Sequence, residues 1–291
     1  MKSVDRRDFL KLSGMAGVTF TAGLFPGHRA SAQAGSDFHF VQISDTHWGY
    51  KGPANPDAEH TLEKAIVTVN GLAQKPDFIV FTGDLTHTVE DGAERRARMK
   101  RFKEIVSALE VKDVRFLAGE HDAALDKGAA FREFFGATYY TFDHKGVHFI
   151  ALDNVSDPEA KLGDAQLAWL AADLRQRRQD DRIVVLTHRP LFDLVPNWDW
   201  TTADGAKAID LLMPYSNVVV FYGHIHQEND HMTGHIAHHA AKSLIFPQAA
   251  PGDAPKRPPP PPFDASLKPL GTRDVAMGSK VTITELPVTK A

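Results

Sequence analysis

The chain has 291 residues, no cysteine and 15 histidines, with 33 lysines plus arginines against 37 acidic residues, a formal charge of −4. A hydrophobic content of 43% is that of a globular protein and excludes disorder or a fibrous repeat. Absence of cysteine excludes disulfides, thiolate metal sites, a cysteine nucleophile and a cysteine-linked lipid anchor, and the mild acidity gives no electrostatic basis for gripping nucleic acid or an anionic membrane. Any metal chemistry must rest on His, Asp, Glu and Asn.

The first segment reads as an address. Asp5-Arg6-Arg7-Asp8-Phe9-Leu10-Lys11 precedes a weakly apolar run from Leu12 to Phe25, and Ala30-Ser31-Ala32-Gln33-Ala34 offers two overlapping A-x-A cleavage choices. This is the three-part layout of a secretory signal, with an apolar run too short to span a membrane. The paired arginines resemble a twin-arginine signal, although Asp5 stands where Ser or Thr is usual. Residues 1–34 are therefore expected to engage the twin-arginine export machinery and be removed. The remainder, 35–291, would be one periplasmic or secreted domain. It holds no long apolar run, so no stable membrane insertion is expected after cleavage.

Within that domain, short β-rich runs alternate with amphipathic stretches. Phe38–Ile43 predicts a strand, 57–73 a helix, Phe78–Phe81 a buried strand, 94–109 a helix and Val114–Leu117 a strand. A hairpin is expected from Tyr139–Phe142 and Val147–Leu152 about His144-Lys145-Gly146. Helical spacing continues from Asp164, a plausible N-cap, to Arg178. Arg182–Leu186 and Val218–Phe221 are again buried strands. Pro251–Pro262, with five consecutive prolines at 258–262, predicts an extended polyproline crossing. No strand or helix is assigned beyond it.

Polar clusters follow five of these strands: Asp45-Thr46-His47, Gly83-Asp84, Gly119-Glu120-His121-Asp122, Thr187-His188 and Gly223-His224-Ile225-His226. Each alone is commonplace; a single histidine after a strand is usually capping or solvated. Together, at the carboxyl ends of strands where loops converge, they form a constellation. Two nearby cations repel, so holding them takes bridging and terminal carboxylates plus neutral imidazoles, and such a pair can clamp a phosphoryl group.

In this order the clusters resemble the signature D-x-H, G-D, G-N-H-D/E, H, G-H-x-H of the calcineurin-like metallophosphoesterase superfamily, over roughly residues 38–240. The resemblance implies an α/β fold, a four-layer α/β/β/α sandwich of two mixed sheets flanked by helices, with a dinuclear centre and a metal-bound hydroxide as nucleophile. By position, Asp45, His47 and His226 would bind one metal, Asp84 would bridge, and His188, His224 and Glu120 would bind the second. His121 would serve as acid or charge stabiliser, with Asp122 orienting its ring. Glu120 departs from the family's Asn and makes three carboxylates instead of two. Fe and/or Mn, with a ferric ion restoring the charge, are then favoured, Zn being the alternative. His87 stands where purple acid phosphatases have their chromogenic tyrosine, so a purple tyrosinate colour is not expected.

Around this centre, Arg189 is a candidate phosphate contact. Trp198 and Trp200 either anchor their loop or stack on substrate, and His238 and His239 either return to the site or lie in a hairpin turning at Thr233-Gly234. The expected function is an exported dinuclear phosphoesterase acting on a small-molecule or lipid-derived phosphate mono- or diester. The alternative is an envelope metal-handling protein in which Glu120 suppresses hydrolysis, an idea that the late histidine cluster suits.

Overall fold

The computed structural model describes residues 37–195, 197–250, 254–266 and 268–288; the signal-like segment 1–34 and the first residues of the Pro-rich stretch lie outside them. In chain order the elements are β1 (His39–Ile43), α1 (Thr61–Asn70), β2 (Phe78–Thr82), α2 (Gly92–Val106), β3 (Val114–Leu117), α3 (Glu120–Ala123) and α4 (Ala129–Phe135). There follow β4 (Tyr140–His144), β5 (Val147–Ala151), α5 (Gly163–Leu174), β6 (Arg182–Leu186), α6 (Gly205–Leu212), β7 (Asn217–Tyr222), β8 (Asn229–Thr233), β9 (Ile236–Ala240), β10 (Gly271–Met277) and β11 (Val281–Pro287). One sheet runs β11-β10-β1-β2-β3 and the other β4-β5-β6-β7-β9-β8. Each has a parallel centre, with the antiparallel strands β10 and β11 on one side of the first sheet and β4 and β8 at the two edges of the second.

Three apolar layers hold four layers of structure together, and strand alternation sorts residues between them. On β1 and β2, Phe40, Phe78 and Val80 face Phe149, Val184, Leu186 and Phe221 of the second sheet. The intervening Val41, Ile43, Ile79 and Phe81 face Leu62 and Ile66 of α1 and Met99 and Phe102 of α2. On the far side, Ile150, Ile183, Val185 and Val220 meet Leu170 of α5 and Ile209 of α6. Strands buried on both faces read as continuous apolar runs, which is why β2, β6 and β7 looked buried in the sequence. Between the sheets Phe40 stacks on Phe78 at 5.0 Å and meets Phe149 and Phe221 edge-on at 5.8 and 5.7 Å. Truncating Phe40 to Ala should cost about 3–5 kcal/mol.

Local boundaries moved where tertiary contacts intervened. Helix α5 starts at Gly163, and the acceptor for the N–H groups of Leu162 and Gly163 is the carboxylate of Asp204, at 2.8 and 2.9 Å, rather than the expected Asp164. Strands β10 and β11 complete the first sheet, with β10 paired to β1 in antiparallel register. Both parallel centres end on the same side, so the loops after β1, β2, β3, β6 and β7 meet there.

Candidate metal centre

The loops converge because the backbone bends sharply after each strand. Asp45, His47, Asp84, His224 and His226 all have positive φ, between 41° and 65°. Asp and His enter this left-handed region more readily than most side chains, at a cost of about 1–3 kcal/mol each, and such strain concentrates at functional sites. Two glycines allow the packing. A Cβ on Gly119 would overlap the Asp84 carboxylate, and one on Gly223 would overlap Ser44 and Asp45. The sheets are tied across this junction by the His224 N–H, which donates to both Asp45 oxygens at 3.1 Å, and by Gln42, which donates to the Tyr222 carbonyl at 3.2 Å.

Among the described residues, four overlapping groups of donors result, of which two take in all seven expected ligands and two others include His121. Asp45, His47, Asp84 and His226 form one of the first two, Glu120, His188 and His224 the other, each with its donor atoms within 4.8 Å of one another. Asp84 Oδ2 stands between them, 3.3 Å from His47 Nε2 and 3.4 Å from His188 Nε2. Glu120 faces inward, its oxygens 2.8 Å from His188 Nε2 and 2.9 Å from His224 Nδ1.

Outer contacts set the tautomers. Nδ1 of His188 donates to the Thr82 carbonyl at 2.7 Å, Nδ1 of His226 to the Phe246 carbonyl at 2.8 Å, and Nε2 of His224 to the Asp199 carbonyl at 2.9 Å. A neutral ring that donates outward keeps a lone pair on its inner nitrogen, as a metal ligand must. His47 differs: its Nδ1 lies 3.2 Å from Nδ1 of His87, a side chain in place of a carbonyl. Burial and the neighbouring His121 push His87 down to about 4, so it remains a neutral partner.

The donors fit a metal pair. His188 Nε2, His224 Nδ1 and Glu120 Oε2 are buried without hydrogen-bond partners, and a lone pair facing a carboxylate oxygen is unfavourable unless a cation or proton intervenes. Accordingly, although burial opposes it, the Asp84 and Glu120 carboxylates hold His188 well above the ordinary imidazole value. Burial also opposes ionisation of Glu120, but His224, His188 and Arg189 outweigh it and hold that carboxyl well below its usual range. Hard oxygen and imidazole donors suit zinc, iron or manganese.

The calcineurin-like phosphoesterase family profile matches residues 38–228. The chain belongs to the calcineurin-like phosphoesterase family. It is 27% identical over 206 residues to the probable glycerophosphodiester phosphodiesterase GpdQ of Arcobacter nitrofigilis, covering 64% of this chain and 71% of that one. It is 30% identical over 227 residues to the 3',5'-cyclic adenosine monophosphate phosphodiesterase CpdA of Pseudomonas aeruginosa, covering 74% and 78%. In fold it resembles a dimetal phosphatase from Danio rerio, with a TM-score of 0.59 at 14% identity over 87% of this chain and 97% of that one. It is thus a metal-dependent phosphoric ester hydrolase by family.

Several residues of this phosphoesterase are placed differently from expectation. Asp122 does not touch the His121 ring; it accepts from the backbone N–H groups of Gly119, Leu85 and Thr86 at 2.9–3.0 Å, tying the β2 and β3 loops together. Burial and the nearby Asp84 raise its carboxyl to about 6. Thr88 positions His121 instead, its hydroxyl at 2.7 Å and its N–H donating to Nδ1 at 3.2 Å. That makes Nδ1 an acceptor and leaves the proton on Nε2, which points 4.0 Å from Asp84 Oδ2. The sequence carried no signal for Thr88 beyond its place in the β2 loop.

Trp198 and Trp200 are buried against each other at 4.8 Å and against Tyr222 and Ile225, so neither is open to stack on a substrate. His238 is fully buried beside Phe192, and His239 pairs with Asp230; both belong to the β8–β9 hairpin and neither lines the cleft. Arg189 turns to the Asp199 carbonyl at 2.6 Å and to Glu120 at 3.8 Å, acting as a counter-charge and not as a wall of the opening. The cleft over the donors, about 420 Å³, is bounded instead by Tyr50, Phe246, Gln248, Arg257 and Pro258–Pro260. The Pro-rich crossing was legible; its return over the centre was not.

Proposed function

We propose that this protein is an exported hydrolase of small-molecule or lipid-derived phosphate esters, diesters foremost, working with two metal ions. The observation that carries the reading is the pair of donor groups with Asp84 Oδ2 standing between His47 and His188, and the His121 Nε2 atom beside it at the open face. Asp45, His47 and His226 would hold one ion, His188, His224 and Glu120 the other, and Asp84 both. When bound, such a pair supplies Lewis acidity toward a phosphoryl group and activation of water. The chain's own part follows from its contacts. Outward hydrogen bonds keep the rings of His188, His224 and His226 oriented before any ion arrives. His121, fixed by Thr88, is poised to donate its Nε2 proton to the leaving oxygen.

Three carboxylates against two cations leave little net positive charge, which favours an iron- or manganese-containing pair over two zincs. The relatives' names divide between phosphodiesterases and serine/threonine-protein phosphatases, and the small cleft supports a small diester over a phosphoprotein. The metal-handling alternative keeps only its Glu120 argument, because the late histidines pack in the hairpin away from the centre. Export rests on the Arg6-Arg7 pattern, which lies outside the described residues. Among the described residues no helix is long and apolar enough to cross a membrane.

The test is metal analysis and turnover of bis(4-nitrophenyl) phosphate and 4-nitrophenyl phosphate by protein matured in its own host. Two ions per chain, with turnover lost on chelation and restored by Mn or Fe, is the expected result. Metal-replete protein that is inert until Glu120→Asn is introduced would favour metal handling, and two zincs with full activity would sink the iron or manganese preference. For export, the double substitution of Arg6 and Arg7 to Lys should strand the chain in the cytoplasm on fractionation. Unchanged periplasmic recovery would refute that route.

A further inference from the structure

Beyond the family-matched residues 38–228, the chain returns over the cleft as the segment Ala254–Pro262. Trp198 anchors its start, the indole N–H donating to the Ala254 carbonyl at 3.0 Å. The next residues bring Arg257 and Pro258–Pro260 to the rim. Prolines have no N–H, so this wall offers no backbone donors along the triplet. The facing wall is aromatic, Tyr50 and Phe246 with ring centroids 5.2 Å apart. The polar floor contributes the carboxylates Asp84 and Glu120.

Among the described residues lining the cleft, Arg257 is the one lysine or arginine. Arg189, the other nearby guanidinium, is committed to Glu120 and the Asp199 carbonyl. Arg257 Nη1 lies 3.6 Å from Asp199 Oδ1, a loose pair that holds the guanidinium beside the loop whose carbonyl orients His224. Among the described residues its remaining N–H groups have no other partner and can turn to an anion at the opening, and a planar fork of donors matches phosphate oxygens. An extra carboxylate at position 120 makes that cation more necessary, since an anionic ester must otherwise enter over a weakly positive centre.

We propose that Arg257, delivered by the polyproline strap, is a substrate-binding residue that grips the phosphate-ester anion from the rim. This rests on the hydrolase reading above for its substrate, but not for its anion. The experiment uses metal-loaded full-length protein, Arg257→Ala and Arg257→Lys. It measures inorganic phosphate binding by calorimetry, KM and kcat for bis(4-nitrophenyl) phosphate, and metal content.

Loss of a charge-assisted contact should weaken phosphate binding and raise KM by about tenfold or more in Arg257→Ala. The kcat should stay within about threefold, as for binding made equally in ground and transition states. Arg257→Lys should recover part of the loss, and metal content should not change. Phosphate affinity and KM within twofold of the parent would overturn the proposal, as would Lys being no better than Ala, or loss of metal in either variant. Phosphate affinity reads Arg257 independently of turnover: a tenfold loss there supports the anion grip, whereas a metal-loaded parent that turns nothing over would refute the hydrolase reading alone.

Discussion

Two groups of histidines lie side by side in the sequence and have little in common in the structure. In the centre, His188, His224 and His226 each donate one nitrogen to a backbone carbonyl and aim the other at carboxylates. In the β8–β9 hairpin, His235 bonds the Tyr215 carbonyl, His239 pairs with Asp230, and His231 stacks on Phe192 at 3.8 Å. His238 there is fully buried with neither ring nitrogen partnered. Histidine density therefore does not make a metal centre. What separates the groups is backbone: the centre's loops bend through positive φ at the ends of parallel strands, whereas His231, His238 and His239 sit on extended strands and His235 in the turn between them.

The largest effect that should follow from this contrast is at Asp84. Asp84→Asn removes the charge that stands between both donor groups and should strip metal and lower kcat by about 10²–10³-fold, the range lost when charge stabilisation is removed. His239→Ala, its counterpart in the hairpin, should leave metal content and kcat within about twofold. Equal losses by metal analysis and initial rates would erase the distinction drawn here.

The second effect belongs to the hairpin and concerns stability. Burial, followed by the charges of His231 and His239, pushes His238 from 6.5 down to about 4. Its neutral form is therefore favoured in the folded protein, so the contribution is complete above pH 6.5 and is lost as pH falls from 6.5 through 4. At the acid end the loss approaches about 3 kcal/mol. Urea melts across that range should show the parent losing stability relative to His238→Leu, by up to that amount, as pH falls. Parallel curves would show that His238 does not titrate with unfolding.

The smallest effect sharpens the site itself. Thr88→Val removes the hydroxyl at His121 Nδ1 but keeps the backbone N–H, and should lower kcat by about tenfold with metal retained, a loss of one hydrogen bond's order. An unchanged kcat would leave the backbone N–H as the sole orienting contact.

Much of the centre was legible because its residues sit in short motifs directly after apolar runs. Periodicity finds a strand's end, and Asp or His there is visible. Glu120 was recognisable as a departure, yet only the fold shows that it faces His188 and His224. Less was legible where contacts are long-range. The alternation Val281-Thr282-Ile283-Thr284 was a usable strand signal for β11, but β10 beside β1 follows no local rule. The role expected of Asp122 went to Thr88 because Asp122 was already occupied by three backbone N–H groups from two loops.

The sequence alone determined the alternating α/β layout and the order of motifs that resembles the family and implies the candidate donors, since strand periodicity and motif spacing are local properties. Tertiary structure decided which histidines meet, which tautomers they hold, that both tryptophans are buried, and that Arg257 rather than Arg189 lines the opening. Those outcomes depend on two sheets packing face to face and on a strap crossing back over their ends. Such approaches between residues far apart in the chain leave no periodic trace in it.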